Sequence, residues 1–274
     1  MSILTINETK CTKCTICVQS CPISIIDKRA EDNIPFIAPA KESSCIYCGH
    51  CESVCPDGAL SHQLSEKALE SNEEGITSIN PKELGKYFRS RRSIRNYLSK
   101  AVDKAVLEQV MDIVRYAPTG TNRQFNQWIV VSGAEMVEKL AAGTIDWMRG
   151  INMAKPEMAG RYNLQLLIDA FDNGIDRICR NAPHVIIGFT PSTYTLGAKD
   201  AVIATSHLEL VAPSFGLGSC WAGFLMMALQ SSPEVKKIVG LDNSSTVHAA
   251  LMVGYPKYKY YKIPTRNKVD IKWM

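Results

Sequence analysis

Eight of the ten cysteines in this chain lie between positions 11 and 55, in two runs of identical spacing. Cys11, Cys14, Cys17 and Cys21 read C-x2-C-x2-C-x3-C, with Pro22 next. The pattern recurs 34 residues later as Cys45, Cys48, Cys51 and Cys55, with Pro56 next. Such a block is a disulfide framework in an oxidising compartment and a metal site elsewhere. The N-terminal MSILTINETK lacks the basic start and apolar stretch of a secretory signal, so a cytoplasmic location and metal ligation are expected.

Three cysteines so close together can wrap one polynuclear iron–sulfur cluster, each thiolate meeting a different iron. The fourth lies too far along the chain to close the same loop and reaches the other cluster. The expected ligand sets are therefore Cys11, Cys14, Cys17 and Cys55 for one [4Fe–4S] cluster, and Cys45, Cys48, Cys51 and Cys21 for the other. A pair of zinc sites also uses C-x2-C spacing, but it leaves the third cysteine of each run and both Cys-Pro steps without a role. Over about 60 residues the region resembles bacterial two-cluster ferredoxins. The offset between the copies implies a longer central loop.

With 274 residues, at about 100–200 per domain, the chain suggests two domains or one with an addition. Apolar residues at 46% and charged residues at 21% exclude global disorder, collagen and a small disulfide scaffold. A membrane span needs about 20 largely apolar residues, and the longest candidate, Cys220 to Leu229, is half that. No membrane partner is expected. The formal charge of +4 divides into −2 for residues 1–63 and +6 for the rest. Ligation deprotonates cysteine, so eight thiolates around two cores of about +2 each bring the total to about 0. The basic apoprotein charge therefore gives no reason to expect nucleic acid as a partner.

Residues 1–63 read as the cluster domain, 64–79 as a polar linker and 80–274 as a second domain. Ala30 to Ser44 reads as loop or short hairpin. Asn80-Pro81-Lys82-Glu83 looks like a capped helix start. Val102, Val106, Val110, Ile113 and Val114 follow a helical period, and Arg161 to Arg180 reads as one helix. Gln127–Ser132, His184–Phe189 and Ala249–Val253 read as strands, and Ala198–Phe215 as a buried helix ended by Gly216 and Gly218. The pattern is mixed α+β.

Four stretches follow in order: Arg89-Ser90-Arg91-Arg92-Ser93-Ile94-Arg95, then Tyr116 to Gln124, then Gly216 to Gly223, then Pro264-Thr265-Arg266. Together they resemble the nitroreductase family of FMN-dependent oxidoreductases, over about residues 80 to 274. The resemblance implies a three-layer α+β fold and an intertwined homodimer with FMN at the interface. It implies that Arg91, Ser93 and Arg266 contact the FMN phosphate and ribityl chain, where arginine makes bidentate charge-assisted bonds. Arg92 takes a flavin-contact position, and Arg95 lies near the pyrimidine end of the ring. Asn122 and Gln124 bond the ring edge, and the backbone of Ala222 and Gly223 approaches N5. Phe125 stands where many members have proline, and no lysine lies two residues before Arg266.

The five histidines, 50, 62, 184, 207 and 248, form no ligand spacing. Cys179 reads as structural, and the basic aromatic tail Lys257–Lys262 is expected to pack on the partner subunit. No catalytic acid, base or nucleophile is assigned. The combination implies an iron–sulfur flavoprotein that passes single electrons from the clusters to FMN and reduces nitro compounds or similar electrophilic acceptors. Reduced ferredoxin or NAD(P)H is the expected donor. A redox relay or sensor serving a protein partner, a dehalogenase and a flavin reductase are the alternatives.

Overall fold

The computed structural model describes residues 2–63 and 78–274. Most of the expected linker, residues 64–77, lies outside the described residues. The chain divides into two compact units, 1–77 with 121–123, and 78–120 with 124–274.

In the first unit β1 (Leu4–Ile6) pairs antiparallel with β4 (Leu60–His62), and β2 (Ile26–Lys28) with β3 (Pro35–Ile37). The segment expected to be loop or hairpin is the turn and return strand of the second pair, followed by a short helix at Pro39–Glu42 that was not expected. Asp32 shapes the turn, accepting from Ile34 N and Arg29 Nε, and Asn33 has φ 62°. Three short helices complete the unit: α1 (Ile16–Ser20), α2 (Pro39–Glu42) and α3 (His50–Ser53). Leu4, Ile25, Ile26, Ile37 and Leu60 form its core together with Cys17 and Cys51. So small a core is marginal without a further cross-link such as a bound metal.

The second unit is built on one antiparallel sheet. It runs β5 (Gln127–Ser132), β6 (His184–Pro191), β8 (Ser245–Gly254), β7 (Gly218–Trp221). Side chains alternate across a strand, so β8 feeds two cores. Ala250 and Met252 point to one, with Val247 beyond a bulge at His248, and Ala249, Leu251 and Val253 point to the other. The first core is shared with α6 (Ala134–Ala154), α8 (Leu164–Asp172) and α10 (Gly223–Ser231), with α7 (Pro156–Tyr162) and α11 (Pro233–Ile238) beside them. The second is shared with α5 (Lys104–Val114) and α9 (Gly197–Val211). Helices on both faces of a sheet make three layers, as expected. No helix among the described residues is long and apolar enough to cross a membrane.

Several elements correct the sequence expectations. α4 (Pro81–Ser90) starts as expected, with Asn80 Oδ1 accepting from Lys82 N and Glu83 N. Arg161 to Arg180 is not one helix, because Asn163 adopts φ 50° and separates α7 from α8. Ile175 and Ile178 lie beyond the end of α8. In α5 the buried side is Leu107, Val110 and Val114, while Ile113 is exposed and Val102 precedes the helix. Ala198–Phe215 is α9 followed by a 3-10 turn at Ala212–Phe215. The 21-residue α6, the longest helix described, was not anticipated.

Candidate redox sites

The two cysteine runs adopt the same backbone twice. Lys13 and Tyr47 have φ 60° and 53°, and Thr15 and Gly49 have φ 64° and 70°. Each run then enters a helix one residue later, α1 or α3. Left-handed conformations are costly for lysine, threonine and tyrosine. Their recurrence at equivalent positions of both copies marks a shape imposed by function.

That shape sorts the cysteines. Cys11, Cys14, Cys17 and Cys55 line one hollow of about 370 Å3. Cys45, Cys48, Cys51 and Cys21 line another of about 340 Å3. Each hollow thus draws three cysteines from one run and the last from the other. Zinc, with Zn–S about 2.3 Å, needs a far tighter tetrahedron of sulfurs. Among the described residues no group of three or more His, Cys, Asp or Glu closes around a single ion. Four cysteines spread around each open hollow suit a cubane, whose thiolates meet four separate irons.

The surroundings of the sulfurs are apolar with a few directed donors. Burial pushes the Cys51 thiol up to about 11, and also raises Cys17 and Cys45. Thiolates there call for bound cations, and ligation releases protons. Tyr47 N donates to Cys45 Sγ at 3.4 Å, and Ala59 N to Cys55 Sγ at 3.3 Å. His62 Nε2 lies 3.3 Å from Cys45 Sγ. Residue spacing does not point to His62, which lies 17 residues from Cys45 along the chain. Residues 121–123 group with this unit. The Asn122 carboxamide donates to the Ile46 and Tyr47 carbonyls of the second cysteine loop, at 3.1 and 2.9 Å.

In the second unit the arginine-rich turn runs along edge strand β7. Ser93 bridges to Ser219, and Ile94 N donates to Ser219 O at 2.9 Å. This brings Arg91, Arg92, Ser93 and Arg95 beside the strand that leads into Ala222 and Gly223. Arg91 donates to Glu209 Oε1 at 3.1 Å, and Trp221 Nε1 to Glu209 Oε2 at 2.9 Å. Arg92 turns back on the carbonyls of Ser90 and Arg89, and Arg95 is exposed. Ala222 is buried, its N–H donating to Ala250 O at 2.8 Å. Gly223 opens α10, and a Cβ there would meet nothing within 4 Å.

Gln124 sits in a strained loop. Thr121, Asn122 and Gln124 have φ 49°, 55° and 51°, and Gln124 N donates to Thr119 Oγ1 at 3.0 Å. Asp200, buried in α9, anchors the start of that loop by accepting from Gly120 N at 3.1 Å. It also accepts from Tyr194 Oη at 2.5 Å. Neither Asp200 nor Glu209 was anticipated, although each is a carboxylate in a largely apolar helix and so carried a signal. Arg266 lies in the exposed segment after β8.

The structure suits both cofactor classes. Eight thiols surround two hollows, and a basic turn flanks open space at a glycine helix start. Arginine donors are what a flavin phosphate requires.

Comparison with known proteins agrees. The 4Fe-4S dicluster domain matches residues 10–60, and the Nitroreductase family matches residues 88–255. An uncharacterized ferredoxin of Methanocaldococcus jannaschii is 34% identical over 59 residues, covering 21% of this chain and 89% of its own. A protein of Archaeoglobus fulgidus, provisionally named NADH dehydrogenase/NAD(P)H nitroreductase, is 23% identical over 188 residues, covering 66% of this chain and 91% of its own. A nitroreductase with bound FMN from Desulfitobacterium hafniense DCB-2 superposes with a TM-score of 0.55 at 22% identity, covering 70% of this chain and 96% of that one. With well over half its length matched and the layered sheet to go with it, the chain belongs to the nitroreductase family, with a 4Fe-4S dicluster ferredoxin domain at its N-terminal end.

Proposed function

We propose that the protein is an iron–sulfur flavoprotein oxidoreductase, in which single electrons from two [4Fe–4S] clusters reach FMN for the reduction of nitro compounds or similar electrophilic acceptors. The observation that carries this reading is the crossed sorting of eight cysteines into two four-cysteine hollows, in a chain of the nitroreductase family. When bound, FMN supplies two-electron chemistry that can be filled one electron at a time.

The chain's own residues do the holding. Cys11, Cys14, Cys17 and Cys55 ligate one cluster, and Cys45, Cys48, Cys51 and Cys21 the other. Arg91 and Ser93 present a cation and a donor to the phosphate and ribityl chain of FMN, with Arg266 joining them, while Arg92 takes a flavin-contact position and Arg95 lies near the pyrimidine end of the ring. Glu209 holds Arg91 from behind and leaves the rest of its donor fork to the ligand. Gln124 supplies its carboxamide to the ring edge, and Asn122 its Oδ1, the NH2 being held by Ile46 and Tyr47, on a loop fixed at Gly120 by Asp200. Ala222 and Gly223 leave room for the ring, with no side chain between it and the backbone. The protein forms a homodimer. Tyr258, Tyr261, Val269 and Trp273 of the exposed final segment supply apolar surface for the partner subunit.

Anaerobic reduction of the loaded protein tests this, with flavin and cluster absorbance followed together. Reduced ferredoxin is expected to bleach the flavin in the parent, and to fail in a C11A/C45A variant that still retains FMN. Rapid and equal bleaching of both proteins by NADH or NADPH would remove the clusters from the input path.

A further inference from the structure

We propose that His62 is a hydrogen-bond donor to the cluster held by Cys45, Cys48, Cys51 and Cys21, and that it raises the midpoint potential of that cluster alone. The proposal rests on the ligand assignment above and adds a residue that the cysteine pattern does not contain.

The geometry is specific. His62 is the last residue of β4 and is 8% exposed. Its Nε2 lies 3.3 Å from Cys45 Sγ, and the ring lines the same hollow as the four cysteines. It is fixed from three sides. Strand pairing holds its backbone opposite Leu4. Glu52 Oε2 accepts from its N–H at 3.3 Å. The Tyr47 ring packs edge-on at 5.6 Å. An iron-bound thiolate carries no proton, so the contact is a hydrogen bond only if Nε2 bears one. Nδ1, buried and without a hydrogen-bond partner among the described residues, is then the bare nitrogen. The ring is thus aimed at the sulfur rather than used as a structural bridge.

The repeat supplies an internal control. Moving back by the 34-residue offset, the equivalent of His62 is Lys28, which ends β2 and is exposed. No histidine lines the other hollow, where Asp57 is present and accepts from Thr12. One site therefore receives an extra N–H donor, and its twin does not. Reduction adds negative charge to a cluster and its thiolates, so a donor to sulfur stabilises the reduced form more than the oxidised form. Hydrogen bonds to the sulfurs are an established lever on cluster potential.

The test is a redox titration of the full-length holoprotein, with the two reduced clusters followed by electron paramagnetic resonance. Iron is counted first. About eight irons per chain support the ligand assignment, and a different count in the parent overturns that assignment rather than the role of His62. In H62F, which keeps the ring and removes the donor, reduction of one cluster is expected to weaken about tenfold. That equals about 59 mV for a one-electron couple, with the other cluster unmoved. H62Q, which restores an N–H, is expected to recover part of the shift. Full iron in H62F with neither midpoint changed, or with both displaced alike, overturns the proposal. Should H62F load fewer irons, 15N-histidine labelling decides, done in an H50N protein because His50 lines the same hollow. A weak nitrogen coupling to one reduced cluster supports the hydrogen bond, and its absence overturns it.

Discussion

Two glycines at opposite ends of the same short stretch separate fold from cofactor. A Cβ on Gly218, the first residue of β7, would strike Ile94 at Cγ1, and at Cβ from 2.8 Å, with Pro256 Cγ at 3.0 Å. Ile94 Cβ is next to the backbone, so a rotamer change cannot relieve the overlap. The arginine turn must lift from the strand. Overpacking of this kind costs about 1–3 kcal/mol. In a unit of this size each kcal/mol lowers Tm by about 2–4 °C, so G218A should melt about 2–12 °C below the parent. FMN occupancy should fall with it, because Arg91, Arg92, Ser93 and Arg95 move together. G223A is the counterpart. Its Cβ meets no protein atom within 4 Å, and alanine at a helical position gains up to about 1 kcal/mol over glycine. G223A should therefore melt at or above the parent temperature while binding FMN more weakly, because the methyl group occupies the ring's place. Differential scanning calorimetry of apoprotein and fluorescence titration with FMN measure the two effects. A G223A protein that binds FMN as the parent does would refute the placement of the flavin. An unshifted G218A would refute the packing argument.

E209A removes the acceptor shared by Arg91 and Trp221 and should cost about 1–3 kcal/mol, read by urea unfolding. His184 Nε2 accepts from Val102 N at 2.9 Å, so Nδ1 carries the proton toward Ser132 Oγ, and burial lowers the ring's pKa below its ordinary value. The unfolded chain then takes up a proton first, so stability is full above the unfolded value of about 6.5 and falls as pH drops through it. That slope should be shallower in H184N, with the share of His248, whose pKa burial also lowers, remaining, as shown by unfolding midpoints between pH 5 and 8. Removing iron with a chelator under reducing conditions should strip hydrogen-exchange protection from β1 and β4 and leave β6 and β8 protected, since ligation contributes folding free energy to the small first unit. C17A should retain about four irons per chain rather than eight, by elemental analysis.

The local elements legible in the sequence were those whose signals are local. Gln127–Ser132 and the cap at Asn80 were read correctly because β-branched runs and an Asn-Pro start act within a few residues. Both cysteine sets were read from spacing together with the resemblance to two-cluster ferredoxins, and the structure brings each set to one hollow. The long α6 was missed because small residues interrupt its apolar stripe. Gly143 is one, and a Cβ there would meet Ile238 Cδ1 at 2.7 Å, so its smallness serves the approach of α11. The false single helix over 161–180 came from an apolar period that runs straight through Asn163, where the backbone turns left-handed. Strand order was out of reach, since β7 pairs with β8 across two intervening helices. So was His62, which nears Cys45 only once β4 has paired with β1.

The crossing of the cysteines makes the first unit indivisible. Each hollow borrows its last thiol from the opposite run, so severing the chain in the hairpin between Lys28 and Pro35 would leave two fragments, neither with a complete quartet. Filling one hollow pins Cys21 or Cys55 and, through the short helix before it, draws the other run's triplet into place. The first cluster to form therefore favours the second without being required for it. A duplicated sequence has become a mutual lock, in which neither copy can drift or be discarded without disarming its twin.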